Sequence, residues 1–389
     1  MATAIVSGAL ANKPLNGGEA WVRLSWALGL QRLGFDTYFV EQIGSSACVD
    51  RDGAAASLAD SLNRSYFESV IREFGLEGRA GLFSDGGCEA VGLSREKICE
   101  AAAGADLLIN ISGHMTIEEI LEGPRTSVYV DLDPGFTQAW HADPAVPFRL
   151  APHDRYVTVG LNVGKGGCPI PTGEFEWIPT LPPVLLEQWA EAPAPQGPPR
   201  FTTVATWRSP YGQLEIDGRT MSLKHHQFRR LIELPERVEG TSFEIALEIH
   251  PGDSADLTAL QGHDWEIVDP RAVAATPKAF RDYVLASTAE FSVAQGVYTE
   301  TGSGWFSDRS AAYLASGRPV LVQDTGLGDG FGGGKGLLTF VSREDAVLRA
   351  EEIGRDYATH AAAARAFAEA HLDSDLVLAR LLEKIGSDG

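Results

Sequence analysis

The stretch Gly304 to Gly326, "GWFSDRSAAYLASGRPVLVQDTG", sets Ser307, Asp308, Arg309 and Ser310 at a helix start and Asp324 and Thr325 at the end of the next strand. Both places are edges of a sheet, where α/β proteins hold ligands. Ser307 or Asp308 suits the helix cap, leaving backbone N–H groups at Arg309, Ser310 and Ala311 to face a phosphate. Gly302 and Gly304 add two conformationally permissive points just ahead. The two oxygens of Asp324 can share a pair of hydroxyls, and a turn-forming aspartate accounts for it equally well. His114 follows "DLLINISG" and is the residue type most easily tuned to take a proton near neutral pH. Asp131 and Asp133, in "VDLDPG", are alternative bases or turn formers. Asn16, Gly17, Gly18 and Glu19 form a loop opening a helix, where glycines let backbone approach an anion or simply make a turn. Arg208 ends "TVATWRS" and Lys224 opens "SLKHHQFRRLIEL"; alone, such cations are usually solvated. The neighbouring His225 and His226 point apart on a helix and make a poor metal pair. "HPGD" at 250–253 reads as a turn, and the four cysteines show no CxxC spacing, so neither zinc nor a disulfide framework is indicated.

The elements that must position these residues follow a βαβ rhythm. "AIVSGAL" is a short apolar run, "ANKPLNGG" a breaker-rich loop, "EAWVRLSWALGLQRLG" a helix stopping at Gly34, and "FDTYFVEQ" a second strand. Helices near 61–75 and 94–103 and strands at 106–112, 127–133 and 155–161 continue it. Residues 181–200 hold six prolines and read as an interdomain linker. A second series follows: strands at 201–207, 243–249 and 265–268, helices at 223–234 and 277–287, "EFSVAQ" and "PVLVQD". Helices at 343–371, broken near Gly354, and at 374–386 close the chain. The expected architecture is α/β: two Rossmann-like domains, 1–180 and 201–372, a linker at 181–200 and a last helix within 373–389, with ligand in the cleft between the domains.

The 389 residues are too many for one ordinary core. A formal charge of -21 disfavours nucleic acid and anionic membrane surfaces, so a phosphate needs a local device. The start, "MATAIVSGAL", has no basic segment before its apolar residues, and no apolar run reaches the ~18 residues of a membrane span. A cytoplasmic, reduced protein is the expectation. GxGxxG is absent, and only Glu41 closes the second strand in a ribose-binding register, which disfavours a nicotinamide enzyme.

"GGEAWVRLSWALGLQRLGFDTYFV" resembles the N-terminal segment of nucleotide-sugar glycosyltransferases of the GT-B fold, and "ASGRPV" is similar to the A-x-G-x-P-V of their group-1 branch. The resemblance implies an acceptor domain at 1–180 and a donor domain at 201–372. It implies that Arg208 and Lys224 grip the donor diphosphate, a planar fork and a point charge converging on doubly charged oxygens. Ser307, Asp308, Arg309 and Ser310 would hold the nucleotide, and Asp324 and Thr325 the sugar. His114 would contact donor sugar or act as base. Members of that branch carry two glutamates seven residues apart where this chain has Trp305 and Ala312, leaving Asp308, Ser307 or Glu300 for the ribose. The implied activity is transfer from a nucleoside-diphosphate sugar to a small-molecule acceptor, with no cofactor, no metal, no nucleic-acid substrate and no membrane span; a homodimer is left open. A nucleotide-sugar 2-epimerase and a two-domain clamshell binding protein are the rivals.

Overall fold

Strands buried on both faces read as continuous apolar runs, and every residue of the two at 107–111 and 127–131 is buried. The computed structural model describes residues 2–84, 89–148, 150–190, 195–328, 331 and 334–386. Its first sheet contains β1 (Thr3–Ser7), β2 (Asp36–Ile43), β3 (Ala80–Ser84), β4 (Glu89–Gly92), β5 (Leu107–Ile111), β6 (Ser127–Asp131), β7 (Arg155–Thr158) and β8 (Trp177–Pro179). Their spatial order is β4-β3-β2-β1-β5-β6-β7-β8, with β4 antiparallel to β3 and the other pairs parallel. Next come β9 (Arg200–Thr206), a hairpin of β10 (Glu215–Ile216) and β11 (Arg219–Thr220), then β12 (Ser242–Glu248), β13 (Trp265–Val268), β14 (Ala289–Ser292), β15 (Val320–Gln323) and β16 (Leu337–Phe340). The second sheet runs β13-β12-β9-β14-β15-β16, all parallel.

Each sheet starts at a central strand, grows outward on one side, then resumes on the other. The reversals fall between β1 and β5 and between β9 and β14. Ligand crevices open beyond the carboxyl ends of strands at such reversals. The architecture is thus α/β with two Rossmann-like sheets, as the sequence implies.

The helices Gly17–Arg32, Leu62–Glu73, Arg95–Ala103, Pro277–Ala286 and Ser374–Gly386 stand where periodicity puts them. The break in the long C-terminal pattern falls at Asp356, between Arg343–Arg355 and Tyr357–His371, two residues after Gly354. The stretch expected as one helix over 223–234 divides into Lys224–Arg230 and Leu234–Arg237. The strands β3, β4, β8 and β16 and the hairpin are not foreseen, being too short to carry a period.

The start of the proline-rich segment is anchored rather than slack. Val184 exchanges backbone bonds with Leu372 and Ser374, each 2.8 Å, and Trp189 is buried with its ring 5.1 Å from Trp21 and 6.1 Å from Phe280. Residues 191–194 of that segment lie outside those described. The helix Ser374–Gly386 returns to the first sheet: Leu378, Leu381 and Ile385 join its core, and the Arg32 guanidinium grips both oxygens of Asp375 at 2.7 and 2.8 Å. Gly29 makes room, since a Cβ there would stand 2.6 Å from Leu378 Cδ1. Among the described residues no helix is long and apolar enough to cross a membrane.

Candidate active site

The second sheet's reversal is bridged by Arg309. Its Nε donates to Glu290 Oε1 (2.6 Å), Nη1 to Val204 O (2.7 Å) and Nη2 to Ser292 Oγ (2.7 Å), tying the ends of β9 and β14. The helix Asp308–Ala315 starts here, capped by Ser307, whose Oγ accepts from Arg309 N–H at 3.2 Å. Ala311 N–H already donates to Ser307 O (3.0 Å), so two of the three amides expected to face a phosphate are occupied. Ser307 and Ser310, one turn apart, line a crevice with Trp305, Gln323 and Thr325, and the buried Ser310 Oγ has no partner among the described residues.

Lys224, opening the helix after β9, is half-buried and has no acid partner among the described residues. Burial, and then the charge of Arg309, lower its ammonium to about 7. Arg208 does not join it as expected. Its exposed fork is closed on Asp253 at 2.8 and 2.6 Å, because the 251–253 turn delivers a carboxylate to that strand end. Glu300, a candidate for the ribose, instead accepts from Ser222 N–H (3.2 Å) and Ser222 Oγ–H, steadying the segment before Lys224. Asp324 Oδ1 accepts from the N–H groups of Gly326 (2.9 Å) and Leu327 (3.3 Å), and Thr325 Oγ donates to Trp305 O (2.7 Å). Asp324 thus acts within its own loop and Thr325 ties that loop to the one at Trp305, while Thr325 also borders the crevice. Of the following glycine-rich loop, Gly330, Gly332 and Gly333 lie outside the described residues.

Across the cleft, the reversal of the first sheet holds a second charged group. Arg23 is buried and donates to the Glu19 carboxylate, which Lys13 Nζ also reaches at 3.0 Å. Burial opposes the charge on Glu19, but Arg23 and Lys13 outweigh it and hold the carboxyl at about 2. Gly8 lets the Arg23 stem pass, since a Cβ there would lie 2.9 Å from Arg23 Cγ. An arginine in the apolar run "AWVRLSW" is the sequence signal for this pair, and Arg23 was not among the expected site residues.

His114 follows β5 after two left-handed residues, Ser112 (φ 56°) and Gly113 (φ 67°). Burial, then the charges of Arg23 and Lys13, lower its imidazole to about 4, so it is neutral at pH 7. Asp131 is no free base. Buried at the end of β6, it accepts from Gln138 Nε2 (2.8 Å), Thr158 Oγ (2.8 Å), Thr137 Oγ (3.1 Å) and Asp133 N–H (3.1 Å). Burial raises its carboxyl to about 6. Asp133 accepts from the hydroxyls of Tyr298 (2.8 Å) and Tyr211 (3.2 Å), both from the segment carrying the second sheet, and so joins the two halves.

The Asn16–Glu19 loop is also turned to structure. Asn16 caps the helix by accepting from Glu19 N–H at 3.2 Å. Gly17 N–H donates to Ala274 O at 2.7 Å, and a Cβ on Gly17 would lie 2.1 Å from Thr276 O; Gly18 packs on Phe280. Contact between the halves, rather than a ligand, requires these glycines. Glu41 is buried beneath the preceding loop, accepting from the N–H groups of Leu10, Ala11 and Asn12 at 2.6 to 2.9 Å, which leaves it no part in ribose binding.

Asp308 faces the other way from Ser307 and Ser310. It borders a crevice between the halves with Val22, Trp26, Leu132, Trp305 and Phe306. No other described residue hydrogen-bonds to or ion-pairs with its carboxylate. Its side chain is exposed at the mouth of that crevice. The protein around it, then the charge of Glu19, raise the carboxyl to about 6, against the pull of Arg309 and Arg23.

Solved structures share this arrangement over their whole length. The Anabaena protein Alr3699/HepE in complex with UDP-glucose aligns with a TM-score of 0.59 at 11% identity, covering 99% of each chain. The two-domain pattern, with its facing crevices, decides the fold. The fold is GT-B. AviGT4, a glycosyltransferase involved in avilamycin A biosynthesis, aligns at 0.54 with 13% identity over 99% of this chain and 97% of that one. A putative UDP-N-acetylglucosamine 2-epimerase from Listeria monocytogenes aligns at 0.51 with 12% identity over 100% and 98%. No family model and no curated protein matches the sequence. Within the GT-B frame, Lys224 and Arg309 belong to the half that carries the second sheet, and Arg23 and His114 to the half that carries the first.

Proposed function

We propose that this protein is a glycosyltransferase that moves a sugar from a nucleoside-diphosphate sugar to a small-molecule acceptor. The observation that carries the reading is Lys224: a half-buried cation with no acid partner among the described residues, beside Arg309, at the reversal of the second sheet. Burying a cation without a partner is costly, and a diphosphate would supply the missing negative charge. Ser310 Oγ, which has no partner among the described residues, offers a further donor one residue after Arg309. As the sugar leaves, charge grows on the diphosphate oxygens, and fixed donors there stabilise the transition state. Lys224 supplies that charge from the protein itself, while Arg309, closed on Glu290, Val204 and Ser292, holds the strand ends beside it. The GT-B likeness to AviGT4 and HepE is consistent with this use of the cleft.

The 2-epimerase reading needs several free carboxylates in the cleft. Asp131 and Asp133 are held by amides and hydroxyls and Glu19 by two cations, which favours transfer. The test is calorimetry with UDP and UDP-glucose, followed by UDP release from UDP-glucose with a panel of alcohols. Binding together with acceptor-dependent release supports the reading. Absence of nucleotide binding, or formation of an epimeric nucleotide sugar by NMR, overturns it.

A further inference from the structure

Two carboxylates face each other across the cleft in opposite states. Glu19, on the first half, is fixed by Lys13 and Arg23. Asp308, on the second, is free of partners among the described residues and borders a crevice whose other walls are apolar. A pair of acids driven apart by their surroundings marks an acid–base assignment, because the free one can take a proton while the tied one remains a fixed charge. The helix start makes the division. Ser307 and Ser310 look into the crevice at the ends of β14 and β15, and Arg309 points into the sheet, while Asp308 alone turns toward the first half.

Resting on the transferase reading, we propose that Asp308 is the general base that deprotonates the acceptor. The acceptor hydroxyl gives its proton to an Asp308 oxygen as its own oxygen bonds to the anomeric carbon. The bond from that carbon to the diphosphate oxygen breaks, and its electron pair leaves with the diphosphate. Asp308 then returns the proton to water. Its exposed place at the crevice mouth leaves the carboxylate open to an acceptor hydroxyl. The surrounding cleft walls and Glu19 raise the carboxyl to about 6, near the working range of a base at neutral pH, while His114, at about 4, is a weaker one. The charged groups facing Asp308 are Glu19 and Arg23 from the helix Gly17–Arg32 and Arg309 from its own helix. His114 stands behind them, under the charges of Lys13 and Arg23. The two acids and one histidine assigned from sequence, Asp131, Asp133 and His114, are tied, tied and weakly basic respectively, so the role falls to a residue of the other half.

The test uses the full chain with UDP-glucose as donor and water, methanol or sodium azide as nucleophile, reading UDP release. Asp308→Asn is expected to bind UDP-glucose within about twofold of the parent while release to water and methanol falls by roughly 10²–10⁴-fold. Azide carries no proton to remove, so it restores release in Asp308→Asn and forms glucosyl azide. In the parent, release rises with pH through about 6, and in the variant that rise is gone. Release within threefold of the parent, or a loss that azide does not restore, overturns the assignment of Asp308 while leaving the transferase reading intact. Failure of the parent to bind UDP-glucose overturns both.

Discussion

Lys224 is the residue on which nucleotide affinity should turn. A charge-assisted contact is worth roughly 1.5–3 kcal/mol, so Lys224→Gln should weaken UDP binding by that amount in calorimetry. The pH dependence has a definite sign. Lys224 is charged below about 7, and a bound diphosphate favours the charged form. Parent affinity should therefore fall as pH rises above 7, by at most about tenfold per unit for one linked proton. Lys224→Gln should lose that component of the slope. The same group makes the opposite contribution to stability without ligand: its native value lies below the ~10.4 of an unfolded lysine, so the penalty of burying the charge is present at low pH and is relieved between about 7 and 10. Arg208→Ala, by contrast, should leave UDP affinity unchanged, because Asp253 already occupies its fork. Position in the βαβ pattern was enough to set Lys224 at a helix start and His114 just after a strand. It could not separate a free carboxylate from a tied one. Asp131 and Asp308 look alike in sequence, yet one is encircled by Thr137, Gln138 and Thr158 and the other by none, and those partners are set by tertiary packing.

The helix Asp308–Ala315 depends on one buried ion pair. Glu290 is fully buried in β14, and Arg309 is its charged partner. Removing one member of such a pair strands the other, so Arg309→Ala should cost about 3–5 kcal/mol in a denaturant melt. Arg309→Lys should recover little, since one ammonium cannot reach Glu290, Val204 and Ser292 in the fork geometry. Both variants should also release the restraint between β9 and β14 and so weaken nucleotide binding. Strong periodicity made this helix, the glycine loop before it and the buried strand after it legible. Strands such as β3 and β16 were not, because a run of four or five apolar residues fits a buried helix turn as well as a strand. Glycines were the most ambiguous. Gly17 looks the same in sequence whether a phosphate or Thr276 O must come close, and only the neighbouring half of the molecule decides.

The two halves are joined on both sides of the cleft. Toward the linker, Trp21, Trp189 and Phe280 pack together; at the mouth, Tyr211 lies 4.7 Å from Phe136 and 5.0 Å from Trp140, and Trp305 Nε1 donates to Leu132 O at 3.3 Å. Asp133 binds the mouth with two tyrosine hydroxyls, and Asn162 Nδ2 reaches Gly302 O (2.9 Å) and Gly326 O (2.7 Å). Replacing both Tyr211 and Tyr298 by Phe would leave Asp133 without those donors. Hydrogen exchange should then accelerate at 131–135 and 296–305 while the core strands β5 and β14 keep their protection; uniform acceleration would mean general destabilisation instead. Gly17→Ala acts on the linker side, where the new methyl meets backbone, and should lower the melting temperature more than Gly354→Ala does, since nothing crowds Gly354 and its backbone is helical. The return of the helix Ser374–Gly386 to the first sheet has a consequence for how the molecule is made. The first half cannot close its core over Leu378, Leu381 and Ile385 until about 200 further residues have been added after its last strand. At roughly 5–20 residues per second, that is a wait of some 10–40 s during synthesis. During this interval the apolar face of Gly17–Arg32 stands bare outside the ribosome, a surface for chaperones to hold.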